Sequence, residues 1–443
     1  MIKTQMVIKQ VVVSIANGWG NHGWLWLLCF AGAASVHLGT ALLRLNSFFP
    51  FPQALDFSSY YAGAWSTRLG VSPYPWSEDL LKFLAKTQNL AFTPPPHNSS
   101  PLWSWLLQPI TFLPFPAAAT LWLFLLLILV VCCHVMLTRI AGYNNWKIDA
   151  LTLPMTLTFG PLFLNLTLGQ SGVFLLLSVL LLGESLKKRS GYLEIFAWVM
   201  WVVACGAKIY PGLWVGCLLP LKRWRTFITA SGLCITAFGL LALGEPKTNA
   251  DYWFNFLPNQ TREFADKISV DDQSLNGFLD RIRTSRSYTL PGLDVQERQE
   301  VNWVLPWNFS AQYVRYFSFV LIFILGMGVV FSWIRNNNND PDGILYSLAL
   351  FSLLLFPHME RYNHLLALPA LAWLWKQKTL YRNLTVIAYG LFSLSRLNHL
   401  WALFPSPLGP LASGFGLLGV LTLLLGLSLA LVHSKNPPQT SGV

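Results

Sequence analysis

The chain of 443 residues is 54% hydrophobic and only 11% charged, with a mean hydropathy of +0.47. A soluble domain carries roughly a quarter charged residues, and here apolar runs recur from residue 24 to residue 432, which excludes a soluble enzyme on a single anchor. The net charge of +11 does not point to nucleic acid, because Lys and Arg sit in short clusters between apolar runs, where they read as topology signals.

The fold class expected is an all-α polytopic membrane protein, a single transmembrane domain over residues 1–443. About twelve spans are predicted, at 24–43, 117–138, 150–167, 171–186, 192–207, 209–221, 226–244, 313–334, 343–357, 362–375, 381–400 and 409–432. Several fall short of the ~20 residues of a perpendicular helix, which leaves room for broken or re-entrant segments. The first span reads as retained, since no small-residue cleavage site accompanies it. The six cysteines, Cys29, Cys132, Cys133, Cys205, Cys217 and Cys234, all lie in apolar runs and read as small core residues.

Basic clusters orient the spans. Lys3 and Lys9, Arg139 and Lys147, Lys187–Arg189, Lys222–Arg225, Arg335, Lys376–Arg382 and Lys435 all fall on one side if both termini are cytoplasmic. Spans 192–207 and 209–221 must then form a tight hairpin turning at Lys208–Pro211. The long connections, about 44–116 and 245–312, face the extracytoplasmic side; the second holds ten of the nineteen carboxylates against seven Lys and Arg. The localisation expected is the cell (inner) membrane.

Asp56 is the only carboxylate in the first 77 residues. It opens the stretch Asp56-Phe-Ser-Ser-Tyr60-Tyr61, which Gly70 and Pro73 terminate, and the spacing predicts an amphipathic helix on the outer membrane surface. Asp56 fits a helix N-cap, a proton acceptor, or both. Pro94-Pro-Pro96 through Pro101, Pro109, Pro114 and Pro116 predict broken helical turns, with Trp103 and Trp105 as interface anchors.

With these motifs in place, the chain resembles glycosyltransferase family 87, the polyprenol-phosphate-sugar-dependent membrane glycosyltransferases. The resemblance rests on Asp56–Tyr61, Gly70–Tyr74, Pro95/Pro96 through Leu113-Pro114, Leu121-Trp122, Gly169-Gln170 and Lys208-Ile-Tyr-Pro211. It continues through Gln273-Ser-Leu-Asn276-Gly-Phe-Leu-Asp-Arg281 and Pro357-His358-Met-Glu-Arg361-Tyr362-Asn363-His364 to Leu368-Pro369. It implies a GT-C-like bundle with its active site at the extracytoplasmic face, and characterised relatives include mannosyltransferases that build cell-envelope glycolipids. The family often carries a paired acidic/His or double-His element late in the chain; here both His358 and His364 are candidates for it.

The implied reaction moves a sugar, mannose or another hexose, from a polyprenyl-phosphate donor to a lipid or glycan acceptor with inversion. Such a donor already has a good leaving group, unlike the substrate of a glycosidase with its two carboxylates. One general base and cations for the departing phosphate suffice. Asp56 is the candidate base, with His358 and His364 as further catalytic candidates. Lys208, Arg361 and Arg281 are candidate phosphate partners, although Lys208 and Arg361 also suit interface anchoring. Tyr60 and Tyr61 either pack or stack on sugar. Gln170 and Asn276 either meet sugar hydroxyls or bond backbone. No cofactor and no metal is expected. Membrane lipids and the two substrates are the expected partners. The competing reading is a transporter or flippase of a lipid-linked glycan, which predicts internal repeats and midplane charges that the sequence does not display.

Overall fold

A computed structural model describes residues 23–48, 54–74, 77–87, 93–95, 97–188, 191–260, 272–283, 286–290, 299–303, 310–336, 340–356, 359–397 and 408–433. His358, Lys3, Lys9 and Lys435 lie outside the described residues.

The protein is a helical bundle, as its hydropathy dictates. Five helices are long and apolar enough to cross a membrane: Gly23–Leu42, Phe115–Ile140, Trp224–Gly244, Gln312–Arg335 and Phe415–His433. A sixth crossing is available if Trp146–Thr158 and Gly160–Leu168, bent by 68° at their junction, form one broken span. By length and composition the count of twelve is therefore not reached among the described residues. Gly191–Ala207 and Pro341–Leu355 are apolar but shorter. The predicted span 209–221 is instead a nine-residue 3-10 helix, Tyr210–Leu218. At ~2.0 Å per residue it extends only about 18 Å, well under the hydrocarbon thickness. The predicted span 362–375 likewise divides into a 3-10 turn, Arg361–Leu366, and a short helix, Ala367–Trp375.

Irregular backbone is tolerated at membrane depth only where protein buries it or where it lines a cavity. These segments follow that rule. The Gly172–Lys188 helix is buried along most of its length and packs against Gly191–Ala207, Phe115–Ile140 and Pro341–Leu355. Tyr210–Leu218 lies against Pro341–Leu355, and Arg361–Leu366 against Gly160–Leu168. At the rim the pattern inverts. Phe319, Phe323, Ile324 and Phe331 of the Ala311–Arg335 helix are exposed, as expected of a surface that lipid tails wet. The second long connection adds a two-stranded antiparallel ribbon, Arg286–Leu290 with Gln299–Trp303.

Contacts at one end of the bundle join several basic clusters. Lys187 Nζ meets Asp342 Oδ2 at 2.6 Å, and Arg223 Nη2 donates to the Leu186 carbonyl at 2.6 Å. Trp375 Nε1 donates to the Tyr143 hydroxyl at 3.1 Å, linking the Arg139–Lys147 turn to the segment around Lys376. The Gly172–Lys188 and Pro341–Leu355 helices both run from this end, or to it, with Gln170 and Glu360 beyond their opposite ends.

Two local expectations are corrected. The Leu55–Arg68 helix is no surface helix: every residue from Phe57 to Thr67 is buried, because Pro101–Leu107 and Gln108–Phe112 cover it. Trp103 is fully buried as well and is no interface anchor, whereas Trp105 remains exposed.

Candidate active site

The site is assembled by glycine turns and broken helices. The Gly160–Leu168 helix ends at Gly169, whose φ of 68° is left-handed and suits glycine. A Cβ there would lie 2.7 Å from Phe57 Cβ and 3.2 Å from Ala54 Cβ, so glycine also permits the close approach of the Leu55–Arg68 helix. Trp122 Nε1 ties down the Gly169 carbonyl at 2.8 Å, and Gln170 N donates to the Asn165 carbonyl at 2.8 Å. The turn thus aims the Gln170 side chain at the start of the Leu55–Arg68 helix.

There it meets Asp56. Gln170 Nε2 donates to Asp56 Oδ2 at 2.5 Å, while Gln170 Oε1 accepts from the Tyr60 hydroxyl at 2.5 Å. Asp56 is not the N-cap: Ala54 occupies that position, with φ 43° and no side-chain cap bond, and Asp56 sits in the first helical turn. Its carboxylate is therefore committed to Gln170. Both ends of the Gln170 amide are engaged within the protein, and Tyr60 serves as its donor.

Electrostatics tune this carboxyl. Burial and, after it, the Glu360 charge raise Asp56, the Gln170 hydrogen bond and Lys208 oppose them, and the carboxyl ends at about 6. Burial and the Asp56 charge both raise Tyr60, which keeps its hydroxyl protonated as a donor. Lys208 is lowered by burial, with Asp56 and Glu360 acting the other way. One cation thus senses two carboxylates.

A cavity of about 290 Å³ is lined in part by Lys208, Glu360, Asn98, Asn363, Tyr210 and Tyr252; Asp56, Tyr60 and Gln170 are not among its lining residues. Its walls are predominantly apolar, and its polar groups are few and convergent, the usual character of a ligand site. Lys208 follows directly on the Gly191–Ala207 helix, its N–H bonded to the Ala204 carbonyl at 2.9 Å, and its ammonium lies 5.8 Å from the centre of the Tyr362 ring. The turn after it is held by Trp201 Nε1 donating to the Pro211 carbonyl at 2.7 Å. Ser100 docks the proline-rich loop on the same helix end, its hydroxyl donating to the Gly206 carbonyl at 2.7 Å, which brings Asn98 to the cavity.

Glu360 is fixed from the other side. Asp272 pairs with it in an antiparallel bridge, and Gln273 N donates to the Met359 carbonyl at 2.6 Å. Asp272 Oδ1 accepts from the backbone N–H groups of Ser274 and Met359. Arg281 is fully buried and donates to the Asp272 carbonyl, so its position supports this bridge. Asn276, on the same Leu275–Arg283 helix, is partly exposed.

The remaining predicted residues fall elsewhere. Tyr61 is buried, donates to the Leu113 carbonyl at 2.9 Å and packs on Phe115. Arg361 turns from the cavity toward the Ser395 carbonyl, 3.2 Å from its Nη1. His364 is buried against Phe392, with ring centroids 5.5 Å apart, and beside Gly416.

Sequence reasoning missed Glu360 and His97. Glu360 is the last carboxylate of the chain, as Asp56 is the first, and that mirror position was its signal. His97 is buried under Gly63, where a Cβ would come within 2.8 Å of the ring, and its Nε2 lies 2.8 Å from the Ser104 hydroxyl. Burial lowers it to about 3, which leaves a neutral imidazole packed edge-on to Tyr60.

The model of glycosyltransferase family 87 matches residues 100–357, more than half of the chain. The chain belongs to glycosyltransferase family 87. No curated protein and no solved structure matches it. Family membership makes this multi-pass membrane protein a glycosyltransferase, with a sugar donor and an acceptor as substrates. The family-87 match contains Gln170, Lys208, Asn276 and Arg281; it begins after Asp56 and ends before Glu360. The roles of those two carboxylates rest on geometry.

Proposed function

We propose that this glycosyltransferase moves a hexose, mannose among the candidates, from a polyprenyl-phosphate donor to a lipid or glycan acceptor at the extracytoplasmic face. Asp56 is the general base for the acceptor hydroxyl. Gln170 and Tyr60 hold it in place. Lys208 receives the negative charge that develops on the departing phosphate. Attack from the face opposite the phosphate inverts the anomeric carbon: the acceptor oxygen forms the new bond, the bond to the phosphate oxygen breaks, and the acceptor proton passes to Asp56.

The observation that carries this reading is a Gln170-bound carboxyl, raised to about 6, within electrostatic reach of a half-buried lysine that lines an apolar cavity. A base poised near neutrality removes a proton efficiently. A cation in a low-dielectric site stabilises developing charge far better than one in water. A leaving phosphate needs no protonating acid, so no second catalytic carboxyl is required. Asn98, Asn363 and Glu360 line the cavity where sugar hydroxyls would need partners.

The test is transfer by the purified protein in nanodiscs, scanning polyprenyl-phosphate sugars against nucleotide sugars. Turnover with the lipid-linked donor alone supports the proposal. Turnover only with a nucleotide sugar would overturn it.

A further inference from the structure

The second long connection reaches the cavity in two ways. Tyr252, Leu257 and Gln260 line it directly. Asp272 and Gln273 are fully buried and are not among the lining residues, yet they grip a segment that is. Their contacts converge on Met359 and Glu360. Asp272 Oδ1 accepts from Met359 N at 3.0 Å, Gln273 N donates to the Met359 carbonyl at 2.6 Å, and Asp272 forms its backbone bridge with Glu360.

The grip is itself anchored. Asp272 Oδ1 also accepts from Ser274 N at 2.9 Å, where the chain turns into the Leu275–Arg283 helix. A Cβ at Gly277 would fall 2.4 Å from Asp272 Oδ2, so glycine there admits the carboxylate beside that helix. Gln273 Nε2 donates to the Ser413 carbonyl at 2.8 Å, just ahead of the Phe415–His433 span. On the far side of Glu360, Asn363 N donates to the Glu360 carbonyl at 3.0 Å, and the Tyr210 hydroxyl donates to Asn363 Oδ1 at 3.2 Å. The backbone of Glu360 is thus fixed on both flanks, while the residue stays partly exposed on the cavity.

We infer that Asp272 and Gln273 are positioning residues, which set the Glu360 carboxylate against hydroxyls of the donor hexose. This rests on the reading of the cavity as the sugar site. An ionised carboxylate only accepts hydrogen bonds, and sugar hydroxyls donate them. A binding group of this kind works only when its support holds it to within about 0.5 Å. A buried carboxylate accepting two backbone N–H bonds supplies such support, because charge-assisted bonds are stronger than neutral ones.

The experiment is a double-mutant cycle in nanodiscs on Asp272→Ala and Glu360→Ala, reading KM and kcat with a polyprenyl-phosphate mannose donor, and melting temperature beside them. Glu360→Ala should raise the donor KM roughly tenfold, as expected for a lost hydrogen bond to a charged group. Asp272→Ala should raise it by a similar factor in the wild-type background. In the Glu360→Ala background it should add less than about twofold, because the side chain it positions is gone. Asp272→Asn keeps an acceptor oxygen for both N–H groups and should restore most of the donor affinity. If Asp272→Ala does not fold, Gln273→Leu, which gives up the bond to Ser413, runs the same cycle with the same expectation. Equal factors in both backgrounds would overturn the inference, since a purely structural residue acts alike in each. An unchanged KM in Glu360→Ala would overturn it too, by removing Glu360 from the sugar site. If turnover requires a nucleotide sugar, the cycle is run with that donor. It follows the sugar and not the lipid, so failure of the lipid-donor proposal leaves it readable.

Discussion

Gln170 donates its side-chain amide to the Asp56 carboxylate at 2.5 Å, joining residues 114 positions apart in the chain. The contact settles what the first carboxylate of the sequence is engaged in. It is held by a side chain from the turn after the broken third span, and the helix it begins is capped elsewhere, at Ala54.

Replacing Asp56 by Asn tests the base directly. Asn keeps the shape but cannot accept the proton at neutral pH. Turnover should fall about 10²–10⁴-fold, while donor affinity persists. Stability should not fall with it. A carboxyl raised in the folded state contributes stability below its unfolded value, and that contribution is lost as pH rises through about 6. At neutral pH the Asn variant should therefore melt at or above the wild-type temperature. Near-wild-type turnover would send the search for the base elsewhere.

The pH profile follows from the neighbours of Asp56. The base form is the carboxylate, so kcat/KM should rise with pH through a midpoint near 6 and then level off. Glu360→Gln removes a charge that raises Asp56 and should move the midpoint down. Gln170→Leu removes a bond that lowers it and should move the midpoint up. Opposite or absent shifts in these variants would detach the profile from Asp56.

Lys208→Met keeps the stem and removes the charge. Loss of a partner for the departing phosphate should cost about 3–4 kcal/mol in transition-state stabilisation, the range found for a single oxyanion donor. The midpoint of the pH profile should also rise, because Lys208 holds Asp56 down. Unchanged kcat in a correctly inserted variant would leave Lys208 as an anchor near Tyr362.

Gly169→Ala probes the scaffold. The added Cβ meets Phe57 Cβ at 2.7 Å on a backbone with φ 68°. Backbone strain alone is worth about 1–3 kcal/mol. Melting temperature should drop, and turnover should drop with it, since Phe57 adjoins Asp56. A variant with wild-type melting and turnover would mean that the two segments slide apart at little cost.

Topology is testable by labelling. In a background lacking the native cysteines, single cysteines at Ser72 and Ser285 should react with an impermeant thiol reagent on intact cells. One at Ser190 should not. Labelling at position 190 alone would reverse the orientation drawn from the basic clusters.

Composition and hydropathy alone determined that this chain is a polytopic helical membrane protein, because apolar surface in such quantity has no other stable solvent. Motif order pointed to the family, and isolation in sequence singled out Asp56. Local signals could not tell a spanning helix from a short buried one. Tyr210–Leu218 is as apolar as a true span, yet it packs against the Pro341–Leu355 helix, and contact with protein allows 3-10 geometry there. Nor could sequence place side chains across the bundle. Arg361 and Glu360 are neighbours in the chain, yet the backbone sends one toward Ser395 and the other into the cavity with Lys208. Those assignments depend on packing between segments far apart in sequence, chiefly the close approach at Gly169 that brings Gln170 to Asp56. Tertiary structure decided them because a hydrogen bond or a charge pair is fixed by distances in space, which no local residue pattern encodes.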